Sequence, residues 1–363
     1  MSQSTTPEVL SSRLTSQLLA GPGAHDPIEV AARLLAVQAQ DLRGAMLAVR
    51  ARSARVTSAD IERALTVDRA LVVTWLNRGT LHLVRSQDYP WLHQLTAPGL
   101  ASASSRWLAE QGVAADLAER GIAVITKALA KEGPLTRPQL GERLGAAGLL
   151  AQGRGALAVL FLAGQRGLVV RGPMVGGQQA MVLVRDWLAE TKPVPRDAAL
   201  VELARRYLAG HAPATDRDLA QWSGLSLGEA RTGLSGLGSI LREREDGLLE
   251  LADQPAAAAM PGPKLLGQFE PLLLGWKSRE QILGVHKVVE TVNGRFRPFA
   301  LVEGRAAATW SLRGPQVALQ PFAELEGSAA AALEVDAEDV ARFFGMPHRP
   351  MLGAVTSGAG PQP

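Results

Sequence analysis

Apolar residues recur at helical spacing along the first two thirds of the chain, with polar residues between them. The first run predicts an amphipathic helix whose apolar face consists of Ile28, Ala31, Leu34 and Leu35. Asp26-Pro27 is a typical start for this helix, because Asp caps a helix N-terminus and Pro fits the first turn. The same spacing predicts a helix over residues 42–52 and another that begins at Thr57 or Ser58 and ends near residue 66.

The pattern then changes to two short apolar runs with a turn between them. Residues 71–75 and 80–84 are rich in β-branched and apolar side chains, and they predict two strands. Asn77-Arg78-Gly79 predicts the turn of a hairpin that joins these strands. Helices followed by such a hairpin are the order of elements in a winged helix-turn-helix.

This order of elements recurs further along the chain. Two stretches align in register, with Pro134, Thr136 and Leu140 in one and Pro213, Thr215 and Leu219 in the other. Each stretch follows a predicted helix, opens a short helix with a capping Thr, and leads to strand-like segments. Those segments are 168–171 with 181–184, and 240–241 with 248–251. We therefore predict three winged-helix units, of which the third has the weakest wing.

The remainder of the chain predicts a linker and a small β-rich region. The predicted elements are a linker at 255–263, strands at 299–305, 306–312 and 316–321, a helix at 337–344 and a disordered tail at 346–363. The fold class is therefore α+β, with about three tandem winged helix-turn-helix units and a C-terminal β-rich region. The predicted divisions are 1–115, 116–192 and 193–255 for the units, 256–345 for the β-rich region and 346–363 for the tail.

Composition excludes several classes of protein. The 363 residues contain no cysteine, so disulfides, thiolate zinc sites and cysteine nucleophiles are excluded. The sequence has neither an apolar run long enough for a membrane span nor a secretion signal, and we expect a cytoplasmic protein. Net charge is only +3, but arginine greatly outnumbers lysine, which suits contacts with phosphates and base edges. A GC-rich genome explains the same bias equally well.

Gln38 and Gln40 form a candidate catalytic pair. On a continuous helix, positions i and i+2 point about 200° apart and cannot address one reacting atom. In an extended segment they lie on the same side. The pair can therefore act together only if the helix stops near Val37 and residues 38–41 form a short irregular link. In the alternative interpretation the helix continues and Gln40 is merely solvated.

Other catalytic chemistry finds little support in the sequence. There is no Walker loop, His-Glu-x-x-His box or carboxylate-rich metal cluster, and we expect no metal or cofactor. A lyase would need an amine nucleophile, and Lys264, Lys277 and Lys287 are available but lack an obvious activating apolar setting. We therefore favour hydrolysis without a covalent intermediate.

Four stretches resemble the winged-helix DNA glycosylases of the AlkZ and YcaQ type, in their order and spacing. They are residues 37–41, residues 75–83, residues 269–275, and residues 302–305 leading to Thr309-Trp310. The resemblance implies tandem winged helices around a concave surface that binds double-stranded DNA. It also implies excision of alkylated bases, especially bulky N7-alkylguanine adducts and some interstrand crosslinks, in DNA repair or antibiotic self-resistance.

The resemblance also assigns roles to residues. Gln38-Ala39-Gln40 is similar to the Gln-x-Gln motif of the AlkZ-like branch, although Ala39 is smaller than the apolar residue typical of that position. The YcaQ-like branch has Gln-x-Asp instead. We expect DNA contacts from Arg43, Trp75, Arg78, His82, Trp276, Lys277 and Arg279. We expect the enzyme to be a monomer that needs no protein partner.

Several alternatives stay open at this stage. His82 fits a structural hydrogen-bonding residue as well as a functional one, and residues 276–279 fit a solvated turn beside a core Trp. A non-catalytic regulator would read DNA with a polar recognition helix, but residues 226–237 carry only Glu229 and Arg231 as charges. A scaffold that binds damaged DNA shares every feature except catalysis by the glutamines.

Overall fold

The computed structural model describes residues 6–149, 153–290, 294, 296–314 and 316–347. The first elements follow the predicted order: α1 (Pro7–Ser16), α2 (Pro27–Leu34), β1 (Val37–Gln38), α3 (Leu42–Ala51), α4 (Ser58–Thr66), β2 (Leu71–Leu76) and β3 (Thr80–Arg85). The backbone N–H groups of Ile28 and Glu29 donate to the Asp26 side chain over 2.7 and 2.8 Å. Helix α2 ends at Leu34, and the positive φ of 62° at Leu35 decides between the two interpretations of the sequence, because the helix does not continue to Gln38 and Gln40.

The predicted hairpin forms between β2 and β3, in register from Leu71 with Arg85 to Leu76 with Thr80. Asn77 and Gly79 in its turn both have positive φ, 49° and 78°, which Gly adopts without strain and Asn tolerates. Strand β1 then pairs with the other side of β3. The link that carries the glutamines therefore becomes a strand at the edge of the sheet.

The second set of elements is α5 (Tyr89–Thr96), α6 (Ala101–Glu110), α7 (Ala115–Glu132), α8 (Arg137–Ala146), α9 (Arg154–Gln165), β4 (Val169–Val175), β5 (Gln178–Leu183) and α10 (Val184–Trp187). Strand β4 pairs with β2 at Val73 and Arg171. One five-stranded sheet of order β1-β3-β2-β4-β5 therefore contains both predicted wings. The sequence predicts each of the two hairpins but not that they pair with each other in one sheet.

The third set is α11 (Arg196–His211), α12 (Asp216–Ser223), α13 (Leu227–Ser235), β6 (Leu241–Glu243) and β7 (Leu249–Leu251). The sequence repeat is also a structural repeat. Leu135 forms a bridge with Met181 in the second wing, and its counterpart Ala214 forms one with Leu249 in the third. The third wing, with three-residue strands, is short, as the sequence predicts.

The C-terminal region contains β8 (Lys264–Leu266), α14 (Pro271–Leu274), α15 (Glu280–Leu283), β9 (Phe299–Val302), β10 (Arg305–Arg313), β11 (Gln316–Pro321) and α16 (Gly327–Phe343). Its four-stranded sheet has the order β11-β10-β9-β8. Helix α16 begins ten residues before the predicted start at 337, and that prediction is wrong. The run of alanines before Leu333 lacks apolar periodicity but favours helix strongly. Residues 348–363 of the predicted tail lie outside the described residues.

A buried ion pair ties the C-terminal region to the first helices. Arg52 and Glu270 pair with side chains that are both 0% exposed. Arg52 also donates to Gln17 over 2.8 Å, and Glu270 caps α14 by accepting from the Leu272 N–H over 3.2 Å. Within the stretch 269–275, Glu270 therefore has a structural role as the partner of Arg52. None of the described helices is both long enough and apolar enough to cross a membrane.

Candidate active site

Gln38 and Gln40 lie side by side in an extended segment. The Gln38 backbone is opposite His82 in β3, and the Ala39 N–H donates to the Leu81 carbonyl over 2.7 Å. Both glutamine side chains therefore project from the same side of the chain. Nε2 of Gln38 donates to Oε1 of Gln40 over 2.6 Å. Helix α2 does not continue through these residues, which is the conformation that joint action requires.

Arg78, at the tip of the first hairpin, contacts the far end of the Gln38 amide. Its Nη2 lies 3.4 Å from Oε1 of Gln38, and its Nη1 donates to the carbonyls of Gln221, over 3.0 Å, and Trp222 at the end of α12. A Cβ atom on Gly224 would lie 3.2 Å from Cγ of Arg78, so the turn after α12 packs closely on the hairpin tip. The third predicted unit thus holds Arg78 in place against Gln38.

His82 is a neutral imidazole beside this pair. Burial, and then the nearby charge of Arg78, lowers its pKa from 6.5 to about 3. Nδ1 lies 2.9 Å from the Thr80 carbonyl, which can only accept, so the proton is on Nδ1 and Nε2 is an acceptor. At neutral pH this ring supplies no general acid.

Gln40 lines an open cleft of about 720 Å³. Four aromatic side chains line it: Trp75, Trp107, Phe161 and Phe269. The polar lining consists of Gln40, Asp41, Arg137, Arg171 and Gln268. Trp75 and Trp107 both meet Phe161 edge-on, at centroid distances of 5.7 and 5.2 Å. The cleft therefore has flat apolar surfaces suited to a base or sugar, next to two amides, a carboxylate and two guanidinium groups.

Close backbone contact brings Gln268 to this cleft. A Cβ atom on Gly44 would lie 2.5 Å from the Gln268 carbonyl, and one on Gly267 would lie 2.8 Å from the Gly44 carbonyl. Only glycine allows the start of α3 and residues 267–268 to approach in this way. The C-terminal region therefore forms part of the cleft wall.

A family model described as DNA glycosylase AlkZ-like matches residues 31–343. The chain belongs to this AlkZ-like family. A relative from Streptomyces sahachiroi is named interstrand DNA cross-link repair glycosylase. It is 28% identical over an alignment of 374 residues, gaps included, which covers 95% of this chain and 98% of the relative. The solved structure of the Streptomyces sahachiroi DNA glycosylase AlkZ aligns with a TM-score of 0.77 at 26% identity, over 95% of this chain and 98% of that one.

The resemblance seen in the sequence is therefore confirmed, and this AlkZ-like protein is a DNA glycosylase of mixed α+β fold. Its substrate is DNA, and its enzymatic class is that of DNA repair glycosylases. Within the described ranges, no group of three His, Asp or Glu side chains is placed to hold a metal ion.

The structure separates the predicted DNA contacts of this AlkZ-like enzyme. Of the seven residues predicted to contact DNA, only Trp75 is among the described residues that line the cleft. Arg43 is exposed and lies over the Phe344 ring, with Cζ 4.9 Å from its centroid. Lys277 is exposed, whereas Arg279 donates to the Leu273 carbonyl and to Glu290.

Trp276 is buried, with 4% of its surface exposed. Its Nε1 donates to the His211 carbonyl over 3.0 Å, and the Arg13 guanidinium lies 4.6 Å from the ring centroid. Between the two interpretations of this residue, its packing favours a core Trp over a DNA contact.

Sequence reasoning did not assign most of the cleft lining to the site, including Trp107, Arg137, Phe161, Arg171, Gln268 and Phe269. They belong to helices, a strand and a loop that the fold brings together from distant parts of the chain. Two signals were available: the repeat at Pro134 marks residue 137 as the start of a helix, and Phe269 opens the stretch 269–275.

Proposed function

We propose that this DNA glycosylase hydrolyses the N-glycosidic bond of cationic N7-alkylguanine adducts in double-stranded DNA. The observation that carries the proposal is the hydrogen bond between Gln38 and Gln40, of which Gln40 lines the aromatic cleft. N7-alkylguanine is positively charged and leaves without protonation by a strong acid. The enzyme has to place a water molecule below C1′ and stabilise an oxocarbenium-like sugar, and carbonyl oxygens of amides can do both.

The two glutamines divide this work. Gln38 is buried, with 7% of its surface exposed, and both ends of its amide have partners. Gln40 is exposed and lines the cleft, so we assign it the contact with the water and the sugar. Gln38 then orients Gln40 through their shared hydrogen bond. A neutral pair of this kind should fail on unmodified purines, whose departure needs protonation.

Bulky adducts and interstrand crosslinks belong to the same proposal. The cleft is open rather than an enclosed pocket for a single base, and the relative from Streptomyces sahachiroi is named a cross-link repair glycosylase. The substrate partner is duplex DNA, contacted through Trp75 and through basic residues that include Arg43 and Lys277. We propose that the enzyme acts as a monomer.

Hydrolysis without a covalent intermediate fits the positions of the candidate amines. Lys264, Lys277 and Lys287 are not among the described residues that line the cleft. Lys264 lies in the C-terminal sheet, where burial lowers the pKa of its ammonium group, so it has the activating setting that the sequence does not show. Its absence from the described cleft lining is what argues against Lys264 as the nucleophile.

The test is incubation with duplex DNA that contains a single N7-methylguanine, followed by cleavage of abasic sites. We expect free N7-methylguanine, an abasic site and no protein–DNA adduct after borohydride addition. The matched control is the same duplex with unmodified guanine, which should remain intact. An adduct trapped by borohydride would overturn hydrolysis, and binding without base release would favour the scaffold alternative.

A further inference from the structure

Two arginine side chains face the cleft without a partner in the described part of the chain. Arg137 begins α8 and Arg171 lies in β4, where the two strand pairs of the shared sheet meet. Nε of Arg171 is buried without a hydrogen-bond partner, and its Cζ is 5.9 Å from the centroid of the Trp75 ring. In the described ranges, neither guanidinium forms a hydrogen bond or ion pair with a protein group.

This arrangement leaves positive charge uncompensated. The pKa of the Arg171 guanidinium is lowered by burial and then by the charge of Arg137. Asp41 lines the same cleft, but its carboxylate caps α3 by accepting from the Gly44 N–H. The residues outside the described ranges contain no Asp or Glu. No Asp or Glu side chain from those segments can therefore pair with these arginines.

Arg171 is half-buried and its Nε is buried without a partner, which is costly for a cation, and an external anion removes that cost. Arg137, which is exposed, adds a second positive charge beside it. We propose that Arg137 and Arg171 bind a backbone phosphodiester of the DNA strand that enters the cleft beside Gln40. Guanidinium groups match phosphate oxygens in charge and in geometry. The aromatic rings beside them would cover the sugar and base of the adjoining nucleotide. The anchored phosphate would thereby set the register of the strand relative to Gln40.

This inference rests on the proposed function only in assigning the phosphate to the DNA strand that enters beside Gln40. Measurements of DNA binding test the phosphate contact and require no release of a base. We expect Arg137→Ala and Arg171→Ala each to weaken binding of an undamaged duplex about 10- to 100-fold at low salt. The double variant Arg137→Ala/Arg171→Ala should lower the slope of log K against log salt by about 0.9, the value for one lost phosphate contact, and each single variant should lower it by part of that amount. Arg205→Ala is the matched control, because Arg205 is already paired with Glu202.

A scan with single methylphosphonates locates the contact. One neutral linkage should weaken binding by the wild-type enzyme, the same linkage should weaken it less in Arg137→Ala and in Arg171→Ala, and it should cost nothing in the double variant. Arg137 is exposed, so Arg137→Ala keeps the test valid if Arg171→Ala unfolds. The proposal is overturned if the salt slope and the methylphosphonate profile of Arg137→Ala match those of the wild type. Failure to excise N7-methylguanine would leave this result unaffected.

Discussion

Nη2 of Arg78 lies 3.4 Å from Oε1 of Gln38, while Nε2 of the same amide donates to Oε1 of Gln40 over 2.6 Å. A guanidinium group can only donate, so it requires the oxygen of Gln38 to face it. The nitrogen then faces Gln40, whose oxygen must accept. Arg78 therefore determines the orientation of both amides, and Gln40 is left with its own NH₂ group and one lone pair for the substrate.

Removing either amide should slow catalysis. We expect Gln38→Ala and Gln40→Ala each to lower single-turnover excision about 10- to 1000-fold, the range for one lost electrostatic or positioning contact. The double variant should lose less than the product of the two, because the residues act as a unit. Gln40→Asp should retain activity, since a carboxylate can also orient the water. Excision at the parental rate by both alanine variants contradicts the assignment, and a loss that tracks unfolding makes Gln38 structural.

Arg78→Met should lower the single-turnover rate at saturating DNA about 10- to 100-fold, because the amides lose their fixed orientation. The double variant Arg78→Met/Gln38→Ala should be no slower than Gln38→Ala alone. The salt dependence of DNA binding should stay the same. If instead the salt slope falls by about 0.9 and the rate at saturation holds, Arg78 contacts a phosphate and does not position Gln38.

Glu270→Gln should destabilise the protein by about 3–5 kcal/mol, because it leaves the fully buried Arg52 without its counter-charge. Urea denaturation measures this change, and Glu62→Gln is the control, since Glu62 is an exposed acid on α4. Arg52→Met/Glu270→Leu should recover part of the loss. Equal stability of Glu270→Gln and Glu62→Gln would show that the pair contributes little.

Stability should fall as pH drops below 6.5. Burial lowers the pKa of His82 and of His211 from 6.5 to about 3, so between these values the unfolded chain binds protons that the folded chain does not. Each imidazole should contribute up to about 1.4 kcal/mol per pH unit. His211→Gln should flatten the profile of unfolding free energy against pH in this window, and His25→Gln, at an exposed site, should not. Parallel profiles for the two variants would refute the assignment.

Local sequence patterns are sufficient to predict the caps, turns and repeated units of this protein. Asp26 and Pro27 predict the start of α2, and the requirement that two glutamines act together predicts an extended link after it. The repeat at Pro134 and Pro213 predicts equivalent units, and equivalent bridges at Leu135 and Ala214 follow. Such features depend on caps, turns and side-chain periodicity within a few residues, which a single sequence displays directly.

The packing of these elements against one another depends on long-range contacts that the sequence patterns do not show. The pairing of Val73 with Arg171 unites two wings in one sheet and brings Trp75 beside Phe161. Contacts with His211 and Arg13 bury Trp276, which is not among the described residues that line the cleft. Contacts of this kind join residues tens to hundreds of positions apart. They depend on which apolar faces bury each other, and no local pattern encodes that choice.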